Sequence, residues 1–396
     1  MSEFTIRMID RISSVPGEAW DACANPGGEC ADNPFLAHAF LSALEESGSA
    51  SAKTGWAPRH LLLEDSFGAL MGAVPMYLKS HSYGEYVFDH SWAHAFERAG
   101  GDYYPKLQVS VPFTPATGRR LLVRPGSDAA QRQAALANAA IKIAQSAGVS
   151  SLHFTFLPKA ESELLGRAGF LLRTDQQFHW TNNQYRDFED FLQSLTSRKR
   201  KQIHKERREA VAAGISIEIL TGAGLKEVHW DAFFQFYKDT GQRKWGQPYL
   251  NRKFFSLINQ RMPEKIALVL CSRNGRPIAG ALNFIGGDTL FGRNWGAIEQ
   301  HPFLHFEACY YQAIEFAIAR GLKRVEAGAQ GAHKLARGYL PTLTHSAHWI
   351  TEPRFRRAVS DYLDQERRAV AHEAQLIAAH APFRKNQPAG EQQDDR

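Results

Sequence analysis

Between residues 290 and 334 the chain gathers side chains that could do chemistry: Arg293, Asn294, Trp295, His301, Glu307, Cys309, Gln330, His333 and Lys334. Gln330, His333, Lys334 and, just beyond, Arg337 can donate hydrogen bonds to a carbonyl, a carboxylate or a phosphate. Glu307 is a candidate general base for an attacking amine, because desolvation against Phe306 and Tyr310 would raise its pKa. A carboxylate in the first turn of a helix is also favoured by the helix dipole alone. Cys309 is either an acyl-accepting thiol near a helix start or a small buried hydrophobe.

The elements that must position these groups read as strand, loop, helix, strand and Gly-rich loop. Residues 304–320 form the helix, with Phe306, Tyr310, Ala313, Ile314 and Ala317 as its apolar stripe. RVEAGA is the following strand, and the loop GAQGAHKLARGYLP brings polar donors to the strand's end, where α/β proteins hold ligands. Its glycines permit close backbone approach. His301 and His305 stand at helical spacing, but Pro302 interrupts the helix and no third ligand is at hand, so no zinc site is expected. Walker, GxGxxG and HExxH motifs are absent.

A second feature is the basic run SRKRKQIHKERR, 197–208, which opens with Arg198, Lys199, Arg200 and Lys201 and continues through Lys205, Arg207 and Arg208. On a helix these charges wrap most of the circumference. They make either a surface for phosphates or a solvated face. A single charged helix is expected over 187–213.

The order of elements repeats. LLLEDSFGALMGAVPMYL parallels LVLCSRNGRPIAGALNFI as a hairpin, with Gly72 and Gly280 at matching places. FDHSW is aligned with the strand FGRNW, and helix 127–145 with helix 304–320. A long loop is expected over 93–120. Two copies of one α/β unit follow, divided near residue 181.

The 396 residues carry a net charge of +6, a mild excess that permits an anionic partner without requiring one. Four cysteines are too few for a disulfide scaffold, so reduced thiols are expected. No signal peptide and no membrane span are read from the apolar patterning. A cytoplasmic location is expected.

Three stretches, PFLAHAFLSALEESG, YYPKLQVSVPFTPATGRRLL and FEACYYQAIEFAIARGLKRVEAGAQGAHKLARGYLP, resemble a bacterial family of Fem-like proteins within the GNAT acyltransferase superfamily, catalogued as peptidoglycan biosynthesis or recognition proteins. The resemblance runs from about residue 35 to 352. It implies an α/β fold of two tandem GNAT-like domains, 1–180 and 181–351. Each is a mixed β-sheet flanked by helices, and 352–396 is a helical and then disordered tail. Fem-type relatives transfer an aminoacyl group from aminoacyl-tRNA to an amine. Ordinary GNAT enzymes use acyl-CoA, whose pyrophosphate rests on a glycine-rich loop. The corresponding stretch here, EQHPFLHF, has no glycine. Ala332 stands where the family places an acid before the histidine, so that carboxylate's role is lost or passes to Glu307 or Glu326.

The implied activity is amide formation by an N-acyltransferase using aminoacyl-tRNA or a similar activated donor, with the site in the second domain. Gln330, His333 and Lys334 would stabilise the oxyanion, and Glu307 or His333 would deprotonate the amine. Arg293, Asn294, Trp295, Tyr310 and Arg337 would line the pocket, and Arg198, Lys199, Lys201 and Lys205 would hold the donor's phosphates. The acceptor would be an amine-bearing small molecule or peptide, with tRNA as a further partner and no tightly bound cofactor or metal. The alternatives are an acyl-CoA-dependent acetyltransferase and a non-catalytic protein that binds a peptide or cell-wall precursor.

Overall fold

The computed structural model of the chain describes residues 4–27, 32–244, 248–329 and 331–384. The described residues form two compact units: those within 1–175 and 343–372, and those within 176–342 and from 373 on.

In chain order the first unit holds β1 (Thr5–Ile9), α1 (Gly17–Ala24), α2 (His38–Glu46), β2 (Trp56–Pro58), β3 (His60–Glu64), β4 (Leu70–Val74), β5 (Met76–Lys79), α3 (His90–Arg98), β6 (Lys106–Val109), β7 (Leu122–Val123), α4 (Ala129–Ser146), β8 (Ser151–Leu157) and α5 (Lys159–Arg167). Then come β9 (Leu171–Thr181), α6 (Phe188–Ser194), α7 (Ser197–Ala210), β10 (Ile215–Thr221), α8 (Glu227–Lys244), α9 (Arg252–Arg261), β11 (Ile266–Arg273), β12 (Arg276–Ile285) and β13 (Thr289–Ala297). α10 (Leu304–Phe306), a π-helical turn (Glu307–Tyr311) and α11 (Gln312–Ala319) lead to β14 (Arg324–Glu326) and α12 (Ala332–Leu335). β15 (Leu340–Ile350) and α13 (Pro353–Ala379) end the series.

In the first unit β1-β3-β4-β7 form one antiparallel sheet and β15-β8-β6-β5-β2 lie side by side in another, with β6 and β8 parallel. Only Pro75 separates β4 from β5, and a residue without an N–H suits the place where the chain changes sheets. In the second unit the order is β10-β11-β12-β13-β14-β9, with β13 and β14 parallel. Each unit thus has a hairpin (β3–β4, β11–β12) and a parallel pair joined through a helix, as parallel strands require. The repeat is real, and its glycines match in role. A Cβ on Gly72 would lie 3.0 Å from Leu122 O and Leu136 Cδ1, and one on Gly280 3.2 Å from Val269 O and Phe233 Cδ2.

α4 is Ala-rich and buries Leu136, Ala137, Ala140, Ile141 and Ala144, one stripe at helical spacing, against Leu107, Val109, Leu152 and Phe154. Each fully buried Leu or Ile contributes about 1.5–3 kcal/mol. In the second unit α11 buries Ala313, Ile314, Ala317 and Ile318 against Trp180, Leu290 and Val325.

Three expectations fail locally. FDHSW is not a strand; His90 starts α3, because Trp92, Ala93 and Phe96 share one helical face with Trp92 and Ala93 buried. The supposed loop 93–120 contains most of α3 and all of β6. The single helix over 187–213 is broken between α6 and α7. There Leu195 is extended and bridges Phe383, Thr196 N–H donates to Pro382 O (2.9 Å), and Arg384 N–H donates to Ser194 O (3.0 Å). Disorder is expected for everything after Pro382, but Phe383 and Arg384 make the pairings just given; the rest of that stretch, 385–396, lies outside the described residues.

Candidate active site

β13 and β14 stay in register only over Thr289↔Arg324, Leu290↔Val325 and Phe291↔Glu326. β13 then continues to Ala297 against β12, with Arg293 as the extra residue of a β-bulge, since Leu282 pairs with Asn294 and Asn283 with Gly292. The other strand turns the opposite way: Ala327 N–H donates to Phe178 O (3.2 Å) and Phe178 N–H to Gly328 O (3.1 Å). The strands therefore part at Glu326.

Side chains alternate along a strand. Val325 and Trp180 join the α11 core, so Glu326 and its cross-strand partner His179 face the other side of the sheet. Glu326 is 7% exposed, and its Oε2 has no hydrogen-bond partner among the described residues. His179 Nε2 lies 3.9 Å from that oxygen and 3.2 Å from Gln177 Oε1. Burial pushes the Glu326 carboxyl up to about 7; Asp288 adds to this, while Arg324 and Arg293 oppose it. Burial, with Arg324 and Lys334, holds His179 down to about 3, so its ring is neutral at physiological pH.

On the helical side the π turn inserts one residue into the ladder, a device frequent at functional sites. It spans Glu307 to Tyr311 and leaves both Tyr310 and Tyr311 buried. The Tyr310 hydroxyl pairs with His333 Nε2 at 3.0 Å. Burial raises that phenol above its ordinary range, so it stays protonated. Phe306 stacks on His333 (5.5 Å between centroids), and Trp295 meets His305 edge-on (5.4 Å). These rings line an aromatic wall beside the parted strands.

The loop after β14 is held from within. Lys334 Nζ donates to Ala327 O (2.6 Å) and Gly328 O (2.9 Å), and burial pulls its pKa down to about 8. Gly328, Gly331 and Gly338 have φ of 75°, 116° and 86°, which explains glycine at these turns. Arg337 is buried, lies 3.5 Å over the Phe306 ring, and donates to His333 O (2.7 Å) and Glu206 Oε2 (2.7 Å). Glu206 also accepts from the Tyr311 hydroxyl and from Gln202 Nε2 (2.8 Å).

Glu307 is buried, and its carboxylate accepts from Arg207 Nε (3.1 and 3.2 Å), Arg207 Nη2 (2.9 Å) and Gln312 Nε2 (2.7 Å). Arg207 also reaches Glu315 (2.7 Å). The acid is held in a network of three side chains, whereas Glu326 has a free oxygen. Of the basic helix α7, only Ile203, Glu206 and Ala210 are fully buried. Arg198, Lys201 and Lys205 are exposed and Lys199 half-buried. Lys205 lies 3.6 Å from Glu209, and Lys199 donates to Gln202 (3.3 Å).

Trp295, Tyr310, His333 and Arg337 are thus joined through the His305 and Phe306 rings on the helical side of the crevice where β13 and β14 part, with Lys334 on the loop after β14 and Arg293 and Asn294 on the bulged stretch of β13. Gln330 lies outside the described residues. His301 pairs with Glu299 (2.9 Å). Among the described residues no group of three His, Cys, Asp or Glu could hold a metal ion, and no helix is long and apolar enough to cross a membrane. The sequence names Glu326 only as one of two residues to which the family's carboxylate role could pass, and does not pair it with His179. The signals of that pair were present: an acid closing the short strand RVE, and the alternation of QFHW, which puts Gln177 and His179 on one face.

The fold is that of tandem GNAT-like proteins. It resembles the crystal structure of FemX (TM-score 0.52, 12% identity, 89% of this chain and 100% of that one). It also resembles L-PGS from Bacillus licheniformis (0.51, 9%, 85% and 99%). A third likeness is to the C-terminal domain of a putative lysylphosphatidylglycerol synthetase from Agrobacterium fabrum (0.53, 9%, 87% and 95%). At these identities the likeness is one of fold. The chain belongs to the FemAB-like family, described as peptidoglycan biosynthesis/recognition, with a match over residues 11–385. No curated protein sequence matches it.

Proposed function

We propose that the protein is an N-acyltransferase that forms an amide, taking an aminoacyl group from aminoacyl-tRNA, or a similar activated ester, to an amine on a small molecule or peptide. Glu326 carries this reading. It is a buried carboxylate with a free oxygen and a pKa raised to about 7, set where two parallel strands part. Such a group takes a proton from an ammonium or attacking amine near neutral pH. As the amine nitrogen adds to the donor's carbonyl carbon its N–H proton passes to Glu326, the ester C–O bond breaks, and the protonated Glu326 returns that proton to the released alkoxide.

The other residues have supporting parts. The Tyr310 hydroxyl and His333, paired at 3.0 Å, lie on the α11 side of the sheet, opposite the face Glu326 takes, and are assigned to holding the donor rather than to the proton transfer. Lys334 shapes the loop through its two carbonyl contacts. Glu307 fixes the basic helix to the π turn rather than taking the proton, because Arg207 and Gln312 already engage it. Arg198, Lys199, Lys201 and Lys205 offer α7's outer face to the donor's phosphates. The stretch before α10 supports a donor other than acyl-CoA: it is glycine-free, and Phe303 takes a φ of 59° immediately before the helix. The reaction is placed in the cytoplasm, where charged tRNA is available.

The test is acyl transfer from radiolabelled aminoacyl-tRNA in a cell extract with the purified protein added. Product whose formation is abolished by RNase supports the reading. Saturable micromolar binding of acetyl-CoA, with transfer unaffected by RNase, overturns it.

A further inference from the structure

We propose that the first unit carries an anion-binding site at Lys79 and Lys106, and that the loop 80–89 seats its own Glu85 carboxylate where the carboxylate or phosphate of a ligand would bind. This does not depend on acyl transfer or on the second unit's crevice.

The sheet face is the first argument. On β5, β6, β8 and β15 one side packs on α4 and is apolar. The other side is polar and nevertheless buried. Tyr77, Gln108, His153 and His348 form one row across these strands, and Lys79 pairs with Lys106 in the next. All six are at most 2% exposed. A chain that needed only stability would place apolar residues there, since buried ion pairs are commonly matched or bettered by hydrophobic replacements.

The second argument is incomplete pairing. Lys106 Nζ is well served by Ser82 Oγ (2.8 Å), Glu85 Oε2 (2.7 Å) and Asp89 Oδ2 (2.5 Å). Lys79 Nζ is not. It lies over the Trp56 ring at 3.7 Å, its contacts with Tyr83 O and His81 Nδ1 are long (3.3 and 3.4 Å), and its nearest carboxylate oxygen, Glu85 Oε1, is 3.9 Å away. Trp56 Nε1 and the Tyr77 hydroxyl have no partner among the described residues, nor does Glu85 Oε1. Buried donors without acceptors are costly and rare. Lys79 and Trp56, in contact at 3.7 Å, leave donors that one incoming anion would satisfy. Burial pulls Lys79 down to about 7, consistent with a charge that lacks a full counterpart.

The third argument is the loop itself. It supplies both acids, Glu85 and Asp89, between β5 and α3; it is itself neither helix nor strand and is held by Phe113 N–H to Gly84 O (3.1 Å) and Arg173 Nη1 to Phe88 O (2.8 Å). Its outward side carries Tyr83, Tyr86 and Phe88, three of six exposed large aromatics among the described residues, the others being Phe67, Tyr249 and Tyr362. Of the loop's large apolar side chains only Val87 is buried, so opening loses little apolar burial.

The test titrates inorganic phosphate and, separately, acetate into the Glu85→Gln variant by calorimetry. If Glu85 competes for the site, removing its charge raises the open fraction, and at least one anion binds at least about tenfold tighter than to the native chain. Adding Lys79→Met abolishes that gain. Which anion gains distinguishes a phosphate ligand from a carboxylate. A folded Glu85→Gln protein with no gain for either anion, or a gain that survives Lys79→Met, overturns the proposal. Should Glu85→Gln fail to fold, the readout is the native chain's Tm in phosphate or acetate against chloride of equal ionic strength. A rise that Lys79→Met removes supports the site. No rise, or one that persists in Lys79→Met, overturns it.

Discussion

Both units bury charge, but they differ in how completely each charge is paired. In the second unit Arg337 reaches Glu206, which also takes the Tyr311 hydroxyl and Gln202; Arg207 reaches Glu307 and Glu315. Glu206 and Glu307 are each engaged by more than one donor. In the first unit Lys79 has long contacts only, and Glu85 Oε1 and Asp89 Oδ1 lack partners among the described residues. Within the second unit Glu326 shares that unfinished state. A carboxylate whose oxygens are engaged by several donors positions its neighbours, whereas a buried carboxylate or ammonium left open is available to something outside the chain.

The largest expected effect is on chemistry. Glu326→Gln should lower the rate of amide formation about 100-fold or more, the scale of a lost general base, without lowering Tm. A variant as active as the native protein would break the distinction between open and engaged acids. Next in size is a stability contrast. Arg337→Ala strands Glu206 in the interior and should cost about 3–5 kcal/mol in urea unfolding. Lys79→Met removes a charge with no close partner and should be neutral or stabilising. Equal losses for the two would show that pairing does not separate them.

A smaller effect is visible in pH. The folded-state pKa of Glu326, about 7, lies above its ordinary 4.5. Between these values the folded chain holds a proton that the unfolded chain has released, so this group's contribution to stability falls as pH rises through the window. Glu326→Gln should flatten that part of the stability profile. Activity should move oppositely, rising through about pH 7 as the base deprotonates, with that limb absent in the variant. Smallest is the effect of Lys201→Glu or Lys205→Glu on the exposed face of α7. Each should weaken tRNA binding about two- to fivefold and reduce its salt dependence. An unchanged salt slope would remove α7 from the donor's path.

The repeat, the hairpins and the helices 129–146 and 304–319 were legible because they rest on local periodicity and turn chemistry, which a short window of sequence contains. The break between α6 and α7 was not, because the segment that pins it, 382–384, lies far along the chain. α3 was missed for another reason: FDHSW could be aligned with FGRNW letter by letter, yet its apolar residues follow a helical period. The crevice was half legible. The Gly-rich loop announced Lys334, His333 and Arg337 as polar groups at a strand end, but not that Arg337 and Lys334 would spend their donors on Glu206 and on backbone carbonyls.

The sequence by itself therefore determined which groups are present, the order of elements, the missing glycines before α10, and the family to which the chain belongs. Tertiary structure alone decided which acid is free. Glu307 and Glu326 are both glutamates at the edge of an apolar element, and nothing local distinguishes them. Arg207, 100 residues away in sequence, engages the first, and the parting of β13 and β14 leaves an oxygen of the second open. Charge pairing depends on which distant segments meet, and that is settled only when the sheet and its helices pack.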